Sequence, residues 1–233
     1  MTVGRTGSRA VHSRAVEDYL KAIFKLQAES APVSTTALAG ELRRSAASVT
    51  NMVKALAEQG LLEHERYRGV RLTELGEATA LAIIRRHRVL ETYLIERLGY
   101  TWDGVHAEAE RLEHAASDEL IDRMARAIGD PVEDPHGAPI PSPDGVIESR
   151  DLVALSELEV GAGGVVREVS DEDSERLREL AAAGFLLGTS LVVRGRSAGG
   201  DVIVRVGTGD RSLDRAAAEL IRLERRETSP ADG

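Results

Sequence analysis

The chain has 233 residues, 42% hydrophobic and 30% charged, a length that suits more than one small domain and a composition typical of globular folds. Aromatic residues make up 3% and cysteine is absent, so the cores must be built from Leu, Val, Ile and Ala, and a disulfide framework, a thiol nucleophile and a thiolate metal site are excluded. The net charge of −9 is unevenly spread: residues 1–75 carry 11 Lys and Arg against 8 Asp and Glu, and the remainder 19 against 31, the polarity expected of a DNA-reading part on an acidic body.

The first dozen residues have no hydrophobic period and read as a tail. They contain no apolar h-region, and no run in the chain approaches the ~18 apolar residues of a membrane span, so a cytoplasmic protein without a membrane partner is expected. From about Arg14 to Ala28, Val16, Tyr19, Leu20, Ile23, Phe24 and Leu26 recur at helical spacing. Ser34 or Thr35 can cap a short helix over TALAGELR. Ser45 can cap a second, from about Ala46 to Gln59, with Gly60 closing it. LLEHERYRGVRLT then reads as a hairpin turning at Arg68-Gly69.

A long helix is predicted from about Glu74 to Leu98, with Leu81, Ile84, Leu90, Leu94 and Leu98 on one face, and a second from about Val105 to Ile128. GDPVEDPHGAPIPSPDGV, with five of the seven prolines, reads as a linker. Beyond about Leu152, Val and Gly alternate in GAGGVVREVS, GTSLVVRGR and DVIVRVG around one helical insert, the pattern of a small antiparallel barrel. The expected division is therefore 1–75, a winged helix-turn-helix; 76–145, a helical metal-binding and dimerisation domain ending in the linker; and 146–233, a small all-β barrel. The fold class is mainly α, then β.

Two constellations carry chemistry. A short helix, a tight turn, a second helix and a basic hairpin make a winged helix-turn-helix. The second helix leads with small or hydrogen-bonding residues that fit a major groove: Ser45, Ala47, Ser48, Thr50 and Asn51, then Lys54. Arg43 and Arg44 flank the turn and Arg66, Arg68 and Arg71 line the wing, where they would sit over phosphates. The competing reading is a winged fold used for protein contacts, and basic residues at both turn and wing favour DNA. In the middle of the chain, His87 and Glu91 lie four residues apart. His106, Glu110, Glu113 and His114 lie at i, i+4, i+7 and i+8 on the next predicted helix, within about a quarter turn of one face. Each pair alone reads as a solvated helix face. Six such residues on successive helices, three of them histidines, favour a divalent cation with nitrogen and oxygen ligands. His136 in DPHG reads as shaping its turn rather than binding metal, and Trp102 as a core or dimer residue.

With these residues in place the chain resembles the diphtheria-toxin-repressor family of metal-dependent transcriptional regulators, which includes the manganese transport regulators. VEDYLKAIFKL, SAASVTNMVKALAEQGLL, RLTELGEATA, RRHRVLE, VHAEAERLEHAASDELIDRM and DPHGAPIP look like that family's blocks in the same order, and the C-terminal part resembles its SH3-like (FeoA-type) domain. The resemblance implies a primary metal site of Asp18, Glu110, Glu113 and His114. It also implies an ancillary site of His87, Glu91 and His106 completed by Glu168 and Asp171, with two metal ions per subunit. Iron-sensing members carry Met and Cys where this chain has Asp18 and Glu110. Hard oxygen ligands there favour Mn(II), with Fe(II) as the alternative. Lys21 stands where the compact manganese regulators have a further Glu, so the three-domain members are the better template.

The resemblance further implies a homodimer through the two long helices, including Leu112, Leu120, Ile121 and Met124. Its two recognition helices would meet a palindromic operator in double-stranded DNA, and the protein would repress metal-uptake genes. An iron-responsive regulator of the same family is the nearest alternative. A metallohydrolase using the His/Glu cluster is a more distant one, because no HExxH, nucleophile elbow or phosphate loop is present. No small organic substrate is expected.

Overall fold

The computed structural model describes residues 12–65 and 68–226; the expected tail and Arg66 lie outside the described residues. The chain divides into two compact units, Met1–Ile84 and Arg85–Gly233.

The first unit opens with α1 (Arg14–Glu29), α2 (Thr35–Glu41) and α3 (Ala46–Glu58). Ser13, Ser34 and Ser45 each leave a hydroxyl to accept from a first-turn amide, at Val16, Ala37 and Ser48. Arg43, at φ 50°, makes the tight turn between α2 and α3. The wing is β1 (Leu62–Glu65) paired antiparallel with β2 (Gly69–Leu72), Leu62 opposite Leu72 and Glu65 opposite Gly69. Val33 and Val70 exchange both backbone hydrogen bonds at 2.9 Å, which pins the wing to the segment before α2. That approach requires Gly69: its φ is +132°, and a Cβ there would lie 2.3 Å from the Val33 carbonyl oxygen. Leu20, Ile23, Leu38, Val49, Val53, Leu56, Leu61 and Val70 form the aliphatic core.

Helix α4 (Glu74–Leu98) begins in this unit and ends in the second. The Thr73 hydroxyl accepts from the Gly76 amide at its start, and Gly99, at φ +74°, closes it. The long helix expected over 105–128 is two helices, α5 (His106–Leu112) and α6 (Asp118–Ala127). The physical reason is a turn at 113–117 ending in Ser117, which is extended and caps α6 by accepting from the Leu120 amide, with Asp118 and Glu119 in the first turn. Val89, Leu90, Ala109, Ile121, Ala125 and Ile140 pack as a second core. Ile121 therefore faces inward and Met124 packs against it, whereas Leu98, Leu112 and Leu120 are exposed.

The proline-rich segment is ordered rather than a bare linker. Glu133 and Pro139 form a bridge, and the Asp134 carboxylate accepts from the His136 and Ala138 amides at 2.8 and 2.9 Å. Asp134, His136, Ala138 and Ile140 are buried. The Arg85 guanidinium donates to the Pro141 carbonyl at 3.0 Å.

The C-terminal part is a six-stranded antiparallel sheet of SH3-like type. Its strands are β3 (Leu152–Ala154), β4 (Gly163–Val169), β5 (Ser190–Arg196), β6 (Val202–Val206), β7 (Gly209–Leu213) and β8 (Ile221–Arg225). The order is β3-β8-β4-β5-β6-β7. The expected insert is α7 (Ser174–Ala182), and a short α8 (Arg215–Glu219) precedes β8. Alternate residues such as Val202 and Val204, with Leu191, Val193, Phe185, Leu177 and Ile221, fill one aliphatic core. Among the described residues no helix is long and apolar enough to cross a membrane.

Candidate metal centre

On α3 the buried face is Val49, Val53 and Leu56, so Ala47, Ser48, Thr50, Asn51 and Lys54 lie on the exposed side, continuous with exposed Arg43, Arg44 and Ser45. The Thr50 hydroxyl donates back to the Ala46 carbonyl at 2.8 Å, and the Ser45 hydroxyl is occupied as a cap. Asn51 and Lys54 extend from the same surface. In the wing Arg68 and Arg71 pair with Glu65 at 3.0 and 3.4 Å; Arg68 is largely exposed and Arg71 half-buried.

The second unit draws His87, Glu91, His106 and Asp171 together, one donor from each lying within 4.8 Å of the others. His87 and Glu91 are one turn apart on α4, His106 opens α5, and Asp171 follows β4. Glu91 Oε1 stands 3.0 Å from His87 Nε2 and 3.3 Å from His106 Nδ1, and Asp171 Oδ2 is 2.9 Å from His106 Nδ1. Glu91 is fully buried, His87 nearly so, and Asp171 and His106 are half-buried. Two imidazole nitrogens and two carboxylates converging on one point suit a divalent cation of the first transition row.

Burial alone would lower the pKa of His87, but hydrogen bonds to Asp171, Glu113 and Glu91 outweigh it and hold the ring well above its ordinary value. His106 is likewise opposed by burial yet raised to about 9 by Asp171 and Glu91. Burial would raise Asp171, but the two histidines hold it well below the usual carboxylate range. Protons thus do in this cluster what a cation would do, balancing carboxylates that are too buried to stand alone.

The remaining expected residues of the second unit lie near this group, and Asp18 belongs to the first unit. Glu113, fully buried at the end of α5, accepts from His87 Nδ1 at 2.6 Å and so directs the opposite ring nitrogen toward Glu91. Glu110, half-buried on α5, forms a second set with His87 and Glu113, again with one donor each within 4.8 Å. His114 Nε2 lies 3.4 Å from Glu113 Oε1. Asp18 is half-buried on α1, 3.9 Å from Arg14 Nε, with Lys21 one turn on. Glu168 sits at the β-bulge of β4 opposite Arg222 and is not one of the four converging donors. His136, read from the sequence as shaping its turn rather than binding metal, is 1% exposed with its Nδ1 3.9 Å from Glu91 Oε2, and with Glu91 and Asp134 it forms a further set with one donor each within 4.8 Å. A lone histidine among prolines carries no periodic signal that would mark it as a member of such a set.

Residues 12–70 match the N-terminal DNA binding domain of iron dependent repressors, 73–142 their metal binding and dimerisation domain, and 153–225 the FeoA domain. The iron-dependent repressor IdeR of Mycobacterium tuberculosis is 31% identical over 221 residues, covering 90% of this chain and 96% of that protein. A manganese-dependent transcriptional repressor solved in complex with manganese is 40% identical at a TM-score of 0.84, covering 91% of this chain and 100% of that one. ScaR with bound Zn2+ is 28% identical at a TM-score of 0.80, covering 90% and 98%. The chain belongs to the iron-dependent, or diphtheria-toxin, repressor family of metal-dependent DNA-binding regulators. This is a family of transcriptional repressors rather than enzymes, and the metallohydrolase reading falls with it.

Proposed function

We propose that the chain is a Mn(II)-activated repressor of metal-uptake genes that works in the cytoplasm as a homodimer on a palindromic operator. Its division would be 1–75 for DNA reading, 76–145 for metal binding and dimerisation, and 146–233 for the SH3-like part. The observation that carries the reading is the convergence of His87, Glu91, His106 and Asp171 on one point in a chain of this family. Two ions per subunit are expected. The primary set is Asp18, Glu110, Glu113 and His114; the ancillary set is His87, Glu91, His106 and Asp171, with Glu168 as the outlying member.

A bound divalent cation supplies fixed positive charge at each set. Asp18, Glu110, Glu113 and His114 belong to two domains, and sharing one ion would restrict how the DNA-reading helix is presented. Asp18 and Glu110 supply carboxylate where iron-sensing members carry sulfur, which favours Mn(II) and leaves Fe(II) as the second candidate. Exposed Leu98, Leu112 and Leu120 are the apolar surface offered to a second copy. A two-fold dimer presents recognition helices roughly 34 Å apart, one turn of duplex, with Asn51 and Ser48 at base edges and Arg43, Arg44, Lys54, Arg66 and Arg68 over phosphates.

The test is operator binding by the chelator-stripped protein, titrated with Mn(II), anaerobic Fe(II) and Zn(II), for wild type and Glu110→Ala. Metal-dependent binding that Glu110→Ala abolishes is expected, with the order of metals ranking the physiological candidates. Binding indifferent to metal and chelator would overturn the sensing mechanism.

A further inference from the structure

The wing carries a carboxylate where a hairpin that meets DNA needs none. Glu65 closes β1, and its two oxygens are divided between two arginines. Oε2 stands 3.0 Å from Arg68 Nη1, and Oε1 stands 3.4 Å from Arg71 Nε. The hairpin is built to bring the three together. Glu65 lies opposite Gly69, which offers no side chain, and Arg71 is two residues further along the facing strand, the diagonal position that a long side chain reaches. The Arg68 amide donates to the Glu65 carbonyl at 3.0 Å, so the turn carries that guanidinium back to the carboxylate.

Fold stability does not account for Glu65. It is one-third exposed, its partners reach solvent, and exposed ion pairs contribute little. The hairpin is held by other means: Leu62 and Val70 are buried, and the Gln27 side-chain oxygen accepts from the Leu72 amide at 2.6 Å. Toward a duplex the carboxylate acts against binding. It is an oxyanion in front of guanidinium donors, the place a phosphate would take, and it cancels charge with which the wing approaches DNA. Beside the recognition helix no such acid stands: among the described residues, the side chains of Arg43 and Arg44 form no ion pair.

We propose that Glu65 is a specificity-determining residue of the DNA-reading unit, an internal competitor for the anion position between Arg68 and Arg71. The proposal rests on the reading that the wing meets a duplex. Where α3 has docked on matching bases, the wing is fixed against a phosphate, which displaces the carboxylate. On random sequence the complex is loose, the carboxylate keeps its arginines, and the wing stays neutralised. Sequence-independent binding is almost wholly electrostatic, so Glu65 weakens it most. A regulator gated by metal needs that restraint, because random sites outnumber an operator by a factor on the order of 10⁶ or more.

The experiment uses the full chain, stripped with chelator or loaded with Mn(II), as wild type, Glu65→Gln, Glu63→Gln, Arg68→Ala and Arg71→Ala. The probes are a labelled duplex of random sequence and one selected from a random pool by the Mn(II)-loaded wild type. Glu65→Gln should bind the random duplex about 3–10-fold more tightly, with a salt slope steeper by about 1. It should gain less on the selected duplex and leave Mn(II) affinity unchanged. Glu63→Gln removes the same charge from the exposed position opposite Arg71 and should gain less on the random duplex. An equal gain from Glu63→Gln, or an equal gain by Glu65→Gln on both duplexes, would reduce Glu65 to net charge and overturn the proposal. Unchanged or weaker binding by Glu65→Gln would overturn it too, leaving a carboxylate that only orients the arginines. The arginine variants keep the underlying reading separate. Weaker binding by either leaves the wing on DNA whatever Glu65 does, and unchanged binding by both removes the wing and the proposal together. Should Glu65→Gln fail to fold, Glu65→Asp, too short to engage both arginines, should also gain on the random duplex, and wild-type affinity there would refute the proposal.

Discussion

At the scale of single residues, Glu113 links the two expected metal sets. It belongs by resemblance to the primary set, yet its Oε2 sits 2.6 Å from His87 Nδ1 and so orients a residue proposed for the other. Partners of this kind typically change metal affinity 10–100-fold when removed. Glu113→Ala should therefore weaken both Mn(II) binding events in calorimetry, whereas Glu110→Ala should weaken only one; a single weakened event for Glu113→Ala would separate the sets. Protons compete at the same residues. His106, raised to about 9, and His87, raised well above its ordinary value, hold protons at neutral pH in the metal-free protein. Metal must displace them, so Mn(II) affinity should climb with pH through about 9, with proton release seen as buffer-dependent binding enthalpy at pH 7. The metal-free fold should respond in the opposite sense. A histidine whose pKa is higher folded than unfolded stabilises fully below the unfolded value of 6.5 and loses that contribution as pH rises through about 9. The melting temperature of the stripped protein should thus fall across that window while the Mn(II)-loaded protein holds its own.

At the scale of elements, legibility followed periodicity and capping. The helices at 14–29 and 74–98 are legible from apolar spacing, and those at 35–41 and 46–58 from their Ser caps, with Gly60 closing the latter. The break between α5 and α6 was not, because Ala115 and Ala116 carry no stop signal and Ser117 was read as one more helical residue instead of a cap. The proline-rich loop looked like a spacer because its order comes from distant partners, such as the Val169 amide, that no local pattern announces. His87, Glu91 and His106 were found from their helical spacing. Asp171, 65 residues beyond His106, could be reached only through the family resemblance. The wing offers a sharp test of element-level reasoning. Gly69→Ala places a side chain at φ +132° and against the Val33 carbonyl, a conformation whose strain costs on the order of 1–3 kcal/mol before the clash is counted. It should lower the melting temperature and weaken operator binding while leaving Mn(II) affinity at His87, Glu91, His106 and Asp171 unchanged. A full-affinity wing variant would mean that the hairpin does not touch DNA.

At the scale of the whole molecule, metal and DNA act on one equilibrium. A regulator activated by metal must bind its operator more tightly when loaded, and linkage then requires DNA to tighten metal binding by the same factor, commonly 5–150-fold. The uneven charge of the chain makes both legs of that cycle measurable. Residues 1–75 are net positive and the rest strongly negative, so the DNA leg should depend steeply on salt and the metal leg little. If Lys54 contacts a phosphate as proposed, Lys54→Ala should lower operator affinity, reduce the salt slope by about 1, and leave the metal-to-DNA coupling factor intact. Glu110→Ala, which removes a proposed primary ligand, should do the reverse, erasing the coupling while preserving the salt slope of the residual binding. Fluorescence anisotropy of labelled operator across Mn(II) and salt concentrations yields all of these quantities. Equal Mn(II) affinity with and without operator would mean that the centre steadies the fold without signalling, because a ion that binds both states equally shifts neither.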